Sequence, residues 1–208
     1  MRATGRGGCF HESSSRLELR SRLAAALAAG ACLSPVKSTT GPDTVQAMAD
    51  RRDLAEAVIA NWSDVSALAA RRLMEQYGVP DEVRSGRLIW NERGPWKRTV
   101  VRDRRWPYAP PEELGVVEQT VEYPLTAGRI ADIRAFDDHV TFNPASREMS
   151  SCADREEVNY LRLNLADDVA NGRTSVEEAR RDYAKILALE GEGKSSPYLL
   201  SLHFAFKL

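Results

Sequence analysis

The chain has 208 residues, with 29 Lys and Arg against 30 Asp and Glu, and 43% of its residues are hydrophobic. This balance excludes a wholly disordered chain. The longest apolar run, Leu23 to Leu33, is shorter than the roughly 20 residues that a membrane-spanning helix needs. Three cysteines are too few for a disulfide-stapled scaffold. The composition therefore favours one soluble domain with room for a core.

The first 32 residues are typical of a targeting segment. Residues 1–22 hold five Arg against two Glu, and nine apolar or small residues follow. A basic start, a short apolar stretch and a small-residue end favour a secretory signal. The run Leu27-Ala-Ala-Gly-Ala-Cys32 resembles the lipobox of bacterial lipoproteins. That resemblance implies cleavage before Cys32 and lipidation of its thiol, and hence a periplasmic or outer-membrane-anchored protein.

In an alternative interpretation, residues 1–32 form an Ala-rich helix, or they are not translated because translation starts later, at Met48. The protein would then be cytoplasmic. Residues 33–43 are a linker by composition, and we expect residues 44–208 to form a single domain.

The first ordered elements are predicted to be two helices. Asp43 or Thr44 is suited to begin a helix that runs to about Ala60. Ser63 is the predicted N-cap of a second helix, which Gly78 and the following Pro80 end.

The pattern then changes to strands. Residues 87–90 and 96–102 predict a hairpin across Asn91 to Pro95. Residues 117–123 alternate between apolar and polar side chains, which predicts a strand with one buried face. A short helix before Asp137 and a second hairpin, 140–142 with 147–152, follow.

Two more helices and a final strand complete the prediction. Asp154, with Glu157 three residues later, is a candidate N-cap, and either Thr174 or Ser175 is suited to begin the next helix. Residues 198–207 alternate strictly, which predicts a C-terminal strand returning to the sheet. Helices grouped before and after antiparallel hairpins indicate an α+β fold.

The most unusual stretch is residues 84–108, with eight basic residues against Glu92 and Asp103. Aromatic rings are interleaved with the charges, so the segment has the chemistry to bind a polyanion by charge and stacking. The predicted binding residues are Arg98, Arg102, Arg104, Arg105, Trp106 and Tyr108. In the opposing interpretation, the tryptophans pack in the core under arginine stems and acidic helices neutralise the charge.

Three other groups of residues are weaker candidates for a functional site. Asp137-Asp138-His139 has ligand-type side chains, but an Asp-rich turn explains it better, and we expect no metal and no cofactor. Cys152 with His139 has the residue types of a nucleophile and base. We expect paired acids such as Asp167-Asp168 to lie on the solvent-exposed surface of a helix. The sequence therefore indicates no catalytic residues.

Several short sequence segments together resemble a family of uncharacterised bacterial proteins. They are Tyr77-Gly-Val-Pro-Asp-Glu82, Leu88-Ile-Trp90, Gly94-Pro-Trp-Lys-Arg-Thr99, Glu118-Gln-Thr120 and Asn159-Tyr-Leu-Arg-Leu-Asn-Leu-Ala166. That resemblance covers about residues 60–190 and implies no activity. Residues 65–101 also resemble the SmpA/OmlA-type outer-membrane lipoproteins at the level of fold.

The sequence thus predicts an exported or lipid-anchored, non-catalytic binding protein of the cell envelope. Its partner would be an anionic envelope component or another protein, and the membrane would be reached only through the lipid anchor. The alternatives are a cytoplasmic nucleic-acid-binding protein translated from Met48, a thiol enzyme using Cys152, and a protein that binds a partner through its apolar C-terminal strand.

Overall fold

A computed structural model describes residues 42–104, 115–124 and 129–204. The helices are α1 Pro42–Ile59, α2 Asp64–Tyr77, α3 Ile130–Phe136, α4 Glu156–Ala170 and α5 Val176–Gly191. The strands are β1 Glu82–Arg84, β2 Arg87–Arg93, β3 Trp96–Arg102, β4 Val117–Glu122, β5 Val140–Asn143 and β6 Glu148–Ala153. The protein is therefore an α+β fold, with helices before and after the sheet, as the sequence predicts.

The sheet is antiparallel, in the order β1-β2-β3-β4-β6-β5. Both predicted hairpins are present. The strand β4 lies at its centre, and five of its six residues are buried. The prediction of a solvated face on β4 is therefore wrong. Glu118 lies between Val100 and Cys152 on the neighbouring strands, because a central strand is covered by neighbours on both sides.

The N-terminal helices begin and end close to the predicted residues. Ser63 stands at the N-cap of α2, but its hydroxyl donates to Arg104 O at 3.0 Å rather than receiving a helix N–H. Gly78 ends the helix with a φ of 77°, in the left-handed region that glycine adopts without strain. Within the described ranges, no helix combines the length and the apolar character that crossing a bilayer requires.

The helices α4 and α5 lie where the sequence predicts them, but the N-cap of α4 is not the predicted residue. Arg155, rather than Asp154, is the N-cap of α4, and its side chain makes no capping bond. At α5, Ser175 and Glu178 form the reciprocal capping box, which decides between the two starts that the sequence left open.

The predicted C-terminal strand is wrong. Residues 197–199 form one 3₁₀ turn, and the chain continues to residue 204 without pairing to the sheet. Leu200 is 67% exposed, so the alternating pattern does not produce one buried face. Asn164 on α4 bonds the carbonyls of Tyr198 and Ser201 and the N–H of His203 in this segment instead.

Two hydrophobic clusters form the core. One joins α1 and α2 to the β2–β3 half of the sheet, and the other joins α3, α4 and α5 to the β4–β6 half. Tyr77 packs against both clusters. Between them lies a polar row, since the register places Thr99, Gln119 and Ser151 side by side, and Asn159 of α4 donates to Gln119 Oε1 at 2.9 Å.

Candidate functional site

The tryptophans of the basic hairpin are buried. Trp90 is 0% and Trp96 is 1% exposed. The indole N–H of Trp90 donates to Gly78 O at 2.9 Å, and that of Trp96 donates to Glu156 Oε1 at 2.7 Å. These rings are core residues with satisfied polar atoms, so they are not free to stack on a ligand from outside.

The cations of the same hairpin pair with the protein's own carboxylates. Arg102 binds Glu118 at 3.2 Å, and Lys97 binds both Glu122 at 3.3 Å and Glu148 at 3.0 Å. Arg98 lies 4.0 Å from Glu148. The neutralising acids are on strands β4 and β6, whereas the sequence interpretation placed them on helices, because cross-strand neighbours are not visible in a linear pattern.

Arg104 continues this segment in a structural role. It is half-buried, its N–H donates to Ser66 Oγ at 3.1 Å, and its carbonyl accepts from Ser63. Burial, followed by the nearby charge of Arg102, lowers its pKa. The remaining predicted binding residues, Arg105, Trp106 and Tyr108, and the predicted lipidation site, Cys32, lie outside the described residues.

Asp137, Asp138 and His139 do come together. Their ligand atoms lie within 4.8 Å of one another, since residues 138 and 139 form a turn and not an extended segment. Three bonds already occupy Asp137, from the backbone N–H of His139 at 2.8 Å, from the His139 ring at 3.0 Å and from Arg162 at 2.9 Å. Asp138 is exposed. The cluster is explained by the Asp-rich turn that the sequence favoured.

Cys152 is 2% exposed, and its sulfur lies 3.3 Å from the carbonyl oxygen of Gly115. Its N–H donates to the carbonyl of His139 at 3.2 Å, so the two ends of the hairpin are adjacent as the thiol hypothesis requires. However, the ring of His139 is bonded to Asp137. A reactive thiol is at least partly exposed and lies beside a base, so this arrangement gives the thiol hypothesis no support.

The acids Asp167 and Asp168 are not a solvated surface, which corrects the sequence interpretation. Asp167 is 6% exposed and accepts from Tyr123 at 2.5 Å and from Arg173. Asp168 accepts from Arg173 at 2.6 Å and from Tyr198 at 2.6 Å. The bond to Asp168 and then burial raise the pKa of Tyr198 to about 12. All four carboxylate oxygens are bonded, so this is a closed network that ties α4 to the C-terminal segment.

An open pocket of about 710 Å³ lies beside that network, between the β2–β3 turn, the end of β4, α4 and the C-terminal segment. Its lining is mainly apolar and aromatic, and consists of Glu92, Gly94, Pro95, Trp96, Lys97, Val121, Glu122, Tyr160, Ser201, Leu202 and Phe204. The rings of Trp96 and Tyr160 stack with centroids 4.9 Å apart. We refer to it as the aromatic pocket. Its volume is within the usual range for small-molecule sites.

A buried carboxylate holds the aromatic rings in place. Glu156 Oε1 accepts from Tyr77 at 2.5 Å, from Trp96 at 2.7 Å and from Tyr160 at 2.7 Å. Burial and then the bond to Glu156 raise the pKa of Tyr160, so the phenol remains protonated and keeps donating. One carboxylate oxygen thereby joins α2, β3 and α4.

The opposite wall of the pocket depends on Asn164, which is 1% exposed. Its amide donates to the carbonyls of Tyr198 at 3.2 Å and Ser201 at 2.8 Å, and its oxygen accepts from the N–H of His203 at 2.7 Å. Phe204 packs edge-on against Tyr123, with centroids 5.3 Å apart. Asn164 thus fixes the C-terminal segment as a wall together with the Asp168–Tyr198 bond and the packing of Phe204.

Sequence reasoning missed this set of residues. Glu156, Tyr160 and Asn164 recur every four residues on one face of α4, which is a signal that the sequence carries. Their partners lie 60 residues earlier, at Trp96, and 39 residues later, at His203. No local pattern links them.

Comparison with family models, curated proteins and solved structures gave no match to this chain. The predicted resemblances to bacterial families therefore stay predictions.

Proposed function

We propose that the protein is a non-catalytic binding protein of the cell envelope that takes an apolar ligand into the aromatic pocket. The pocket itself is the observation that supports the proposal. It offers the partly exposed Tyr160 ring, which Glu156 holds, and two hydrophobic side chains, Leu202 and Phe204, next to a charged rim of Glu92, Lys97 and Glu122. Apolar walls with a few polar groups at the mouth are typical of ligand sites.

Two features of the rim favour an apolar ligand without strong charge. Lys97 is already bonded to Glu122 and Glu148, so it offers little to an anion. The tyrosine hydroxyl of Tyr160 is already bonded to Glu156. The free energy of binding would therefore come from burial of apolar surface, at roughly 25 cal/mol per Å².

The envelope location is supported by the signal-like residues 1–32 and the lipobox-like Cys32. The mass of the mature N-terminus tests it. A chain that begins at a diacylated Cys32 would support anchoring, and a chain that begins at Met1 or Met48 would contradict it.

The surface-binding role that the sequence suggested for Arg98 and Arg102 loses its support, because both cations face acids of the same sheet. The nucleic-acid-binding alternative depends on the same segment, of which Arg105, Trp106 and Tyr108 lie outside the described residues. We therefore place the binding function at the pocket and not on the basic segment.

The test is titration with N-phenyl-1-naphthylamine, an apolar dye whose fluorescence rises in a dry site. We expect the wild-type protein to bind it and Leu202→Glu to bind at least about tenfold more weakly, since a carboxylate would enter an apolar wall. Leu200→Glu is the matched control, because Leu200 is 67% exposed and does not line the pocket. No binding by the wild type, or an equal loss in both variants, would contradict the proposal.

A further inference from the structure

The C-terminal segment reaches the aromatic pocket and continues beyond it. Leu202 and Phe204 both line the pocket, whereas the intervening His203 does not. The described residues end at Phe204 on this wall, and residues 205–207 follow it in the sequence. The chain therefore leaves the described part of the structure at the pocket itself.

The length of the polypeptide keeps residue 206 beside the pocket. Since one residue spans at most about 3.6 Å, the Cα atom of Phe206 lies within about 7 Å of the Cα atom of Phe204. The hydrophobic side chains of Leu202 and Phe204 already lie on the pocket side, and in an alternating segment the next side chain on that side belongs to residue 206. Phe206 is thus the next hydrophobic side chain that the segment can direct into the pocket.

The pocket has the lining that a phenyl ring needs. It holds about 710 Å³, and the partly exposed Tyr160 ring lies in its wall. Aromatic pairs gain free energy beyond the burial of their area when they stack or meet edge-on. A Phe206 ring in this position would bury its own apolar surface together with that of Tyr160 and Leu202.

The charges at the rim suit Lys207. Two acids, Glu92 and Glu122, lie there against one cation, Lys97, so the rim has a net charge of −1. Lys97 is already bonded to Glu122 at 3.3 Å, which leaves Glu92 as the acid that a further ammonium would meet. Since Lys207 directly follows Phe206, a ring inside the pocket places the ammonium near its mouth.

We propose that residues 205–207 dock into the aromatic pocket of the unliganded protein, with the Phe206 ring inside and the Lys207 ammonium at the rim, and that a ligand must displace them. The inference rests on the function proposed above, since it takes the aromatic pocket as the ligand site. It assigns the regulation of that site to the C-terminal segment. If the ring occupies the pocket in about 80–90% of the molecules, the apparent affinity for a ligand is lower by about fivefold to tenfold.

Titration of Phe206→Ser with N-phenyl-1-naphthylamine measures this competition. We expect the variant to bind the dye at least about fivefold more tightly than the wild type, because its pocket is free. Leu200→Ser is the matched control. It also removes a large hydrophobic side chain from the segment, but Leu200 is 67% exposed and does not line the pocket, so its affinity should stay within about twofold of the wild type. Unchanged or weaker binding by Phe206→Ser, or an equal gain in Leu200→Ser, would overturn the inference.

Lys207→Glu tests the contact at the rim. The substitution brings another acid to a rim that already has an excess of acid, so we expect it to favour the undocked segment and to raise dye affinity at least about twofold at low salt. The difference from the wild type should shrink at high salt, because exposed charges are then screened. An unchanged affinity at low salt would overturn the proposed position of Lys207.

A fluorine label at position 206 gives a measurement that does not depend on the dye. With 4-fluorophenylalanine in place of Phe206, we expect the fluorine resonance of the folded full chain to differ from that of the urea-unfolded chain, and to move toward the unfolded position when the dye is saturating. A resonance at the unfolded position in the folded, dye-free protein would overturn the inference. If neither the wild type nor Phe206→Ser binds the dye, the proposed function fails instead, and the fluorine resonance still decides whether residue 206 docks.

Discussion

Asp137 and Arg162 form the most buried ion pair among the described residues, with side chains 14% and 6% exposed. The guanidinium also donates to Cys152 O at 2.7 Å and lies over the Tyr183 ring at 5.4 Å. Two guanidinium nitrogens and one face of the group are thus occupied, and the pair joins the α3–β5 turn to α4. Removal of either partner would leave a buried charge without compensation.

The stability of the protein should fall in acid through Asp137. Burial by itself would raise the pKa of Asp137, but the His139 bonds and the Arg162 charge outweigh it and lower the pKa to about 2, from an ordinary value of 3.8. Because the folded-state pKa is lowered, the stabilisation is present above about pH 4 and is lost as the pH falls through 2. Its size is roughly 2 kcal/mol.

Urea unfolding between pH 2 and pH 6 measures this effect. We expect Asp137→Asn to be less stable than the wild type at pH 6, with a gap that narrows toward pH 2. Asp138→Asn is the control, since Asp138 has a side chain 68% exposed, and it should stay within about 0.5 kcal/mol of the wild type. A gap that does not change with pH would contradict the argument.

At the scale of elements, the C-terminal segment depends on α4 more than on its own sequence. The alternation of residues 198–207 favours a strand, yet the described part of the segment follows Asn164 and forms no strand. The three hydrogen bonds of Asn164 replace backbone hydrogen bonds that a neighbouring strand would have supplied. The polar backbone groups of the segment therefore have partners although the segment does not pair with the sheet.

We expect Asn164→Leu to release residues 198–204. The carbonyls of Tyr198 and Ser201 and the N–H of His203 would lose their partner, at a cost of about 1–3 kcal/mol. Amide hydrogen exchange should speed up across the segment, and dye affinity should fall with the loss of a pocket wall. Asn171→Leu is the control, because Asn171, the C-cap residue that follows α4, bonds Asp167 instead. Unchanged exchange in Asn164→Leu would show that the segment is held by other contacts.

At the scale of the whole molecule, the two hydrophobic clusters are joined by Glu156 and the tyrosines that bind it. Tyr77 comes from α2 and Tyr160 from α4, and both donate to Glu156 Oε1. Tyr77 also packs against both clusters. Unfolding of one half should therefore expose the polar junction of the other, which favours a cooperative transition.

A double-mutant cycle of Tyr77→Phe and Tyr160→Phe tests this junction. We expect each substitution to cost about 1–2 kcal/mol, and the pair to differ from the sum by at least about 0.5 kcal/mol, since both hydroxyls serve one oxygen. Chemical unfolding of the four proteins gives the coupling. Strict additivity would mean that the two bonds act independently and that Glu156 does not couple the halves.

The sequence by itself determined the class of fold and most of the elements. Hairpin turns, the Gly78 helix end and the Ser175 cap are set by a few adjacent residues, because backbone conformation and side-chain period are local properties. The tertiary structure alone decided which charges are neutralised, where the C-terminal segment runs and where the pockets lie. Those outcomes depend on contacts such as Trp96 with Glu156 and Arg102 with Glu118, whose partners are far apart along the chain and meet only when the sheet and α4 pack together.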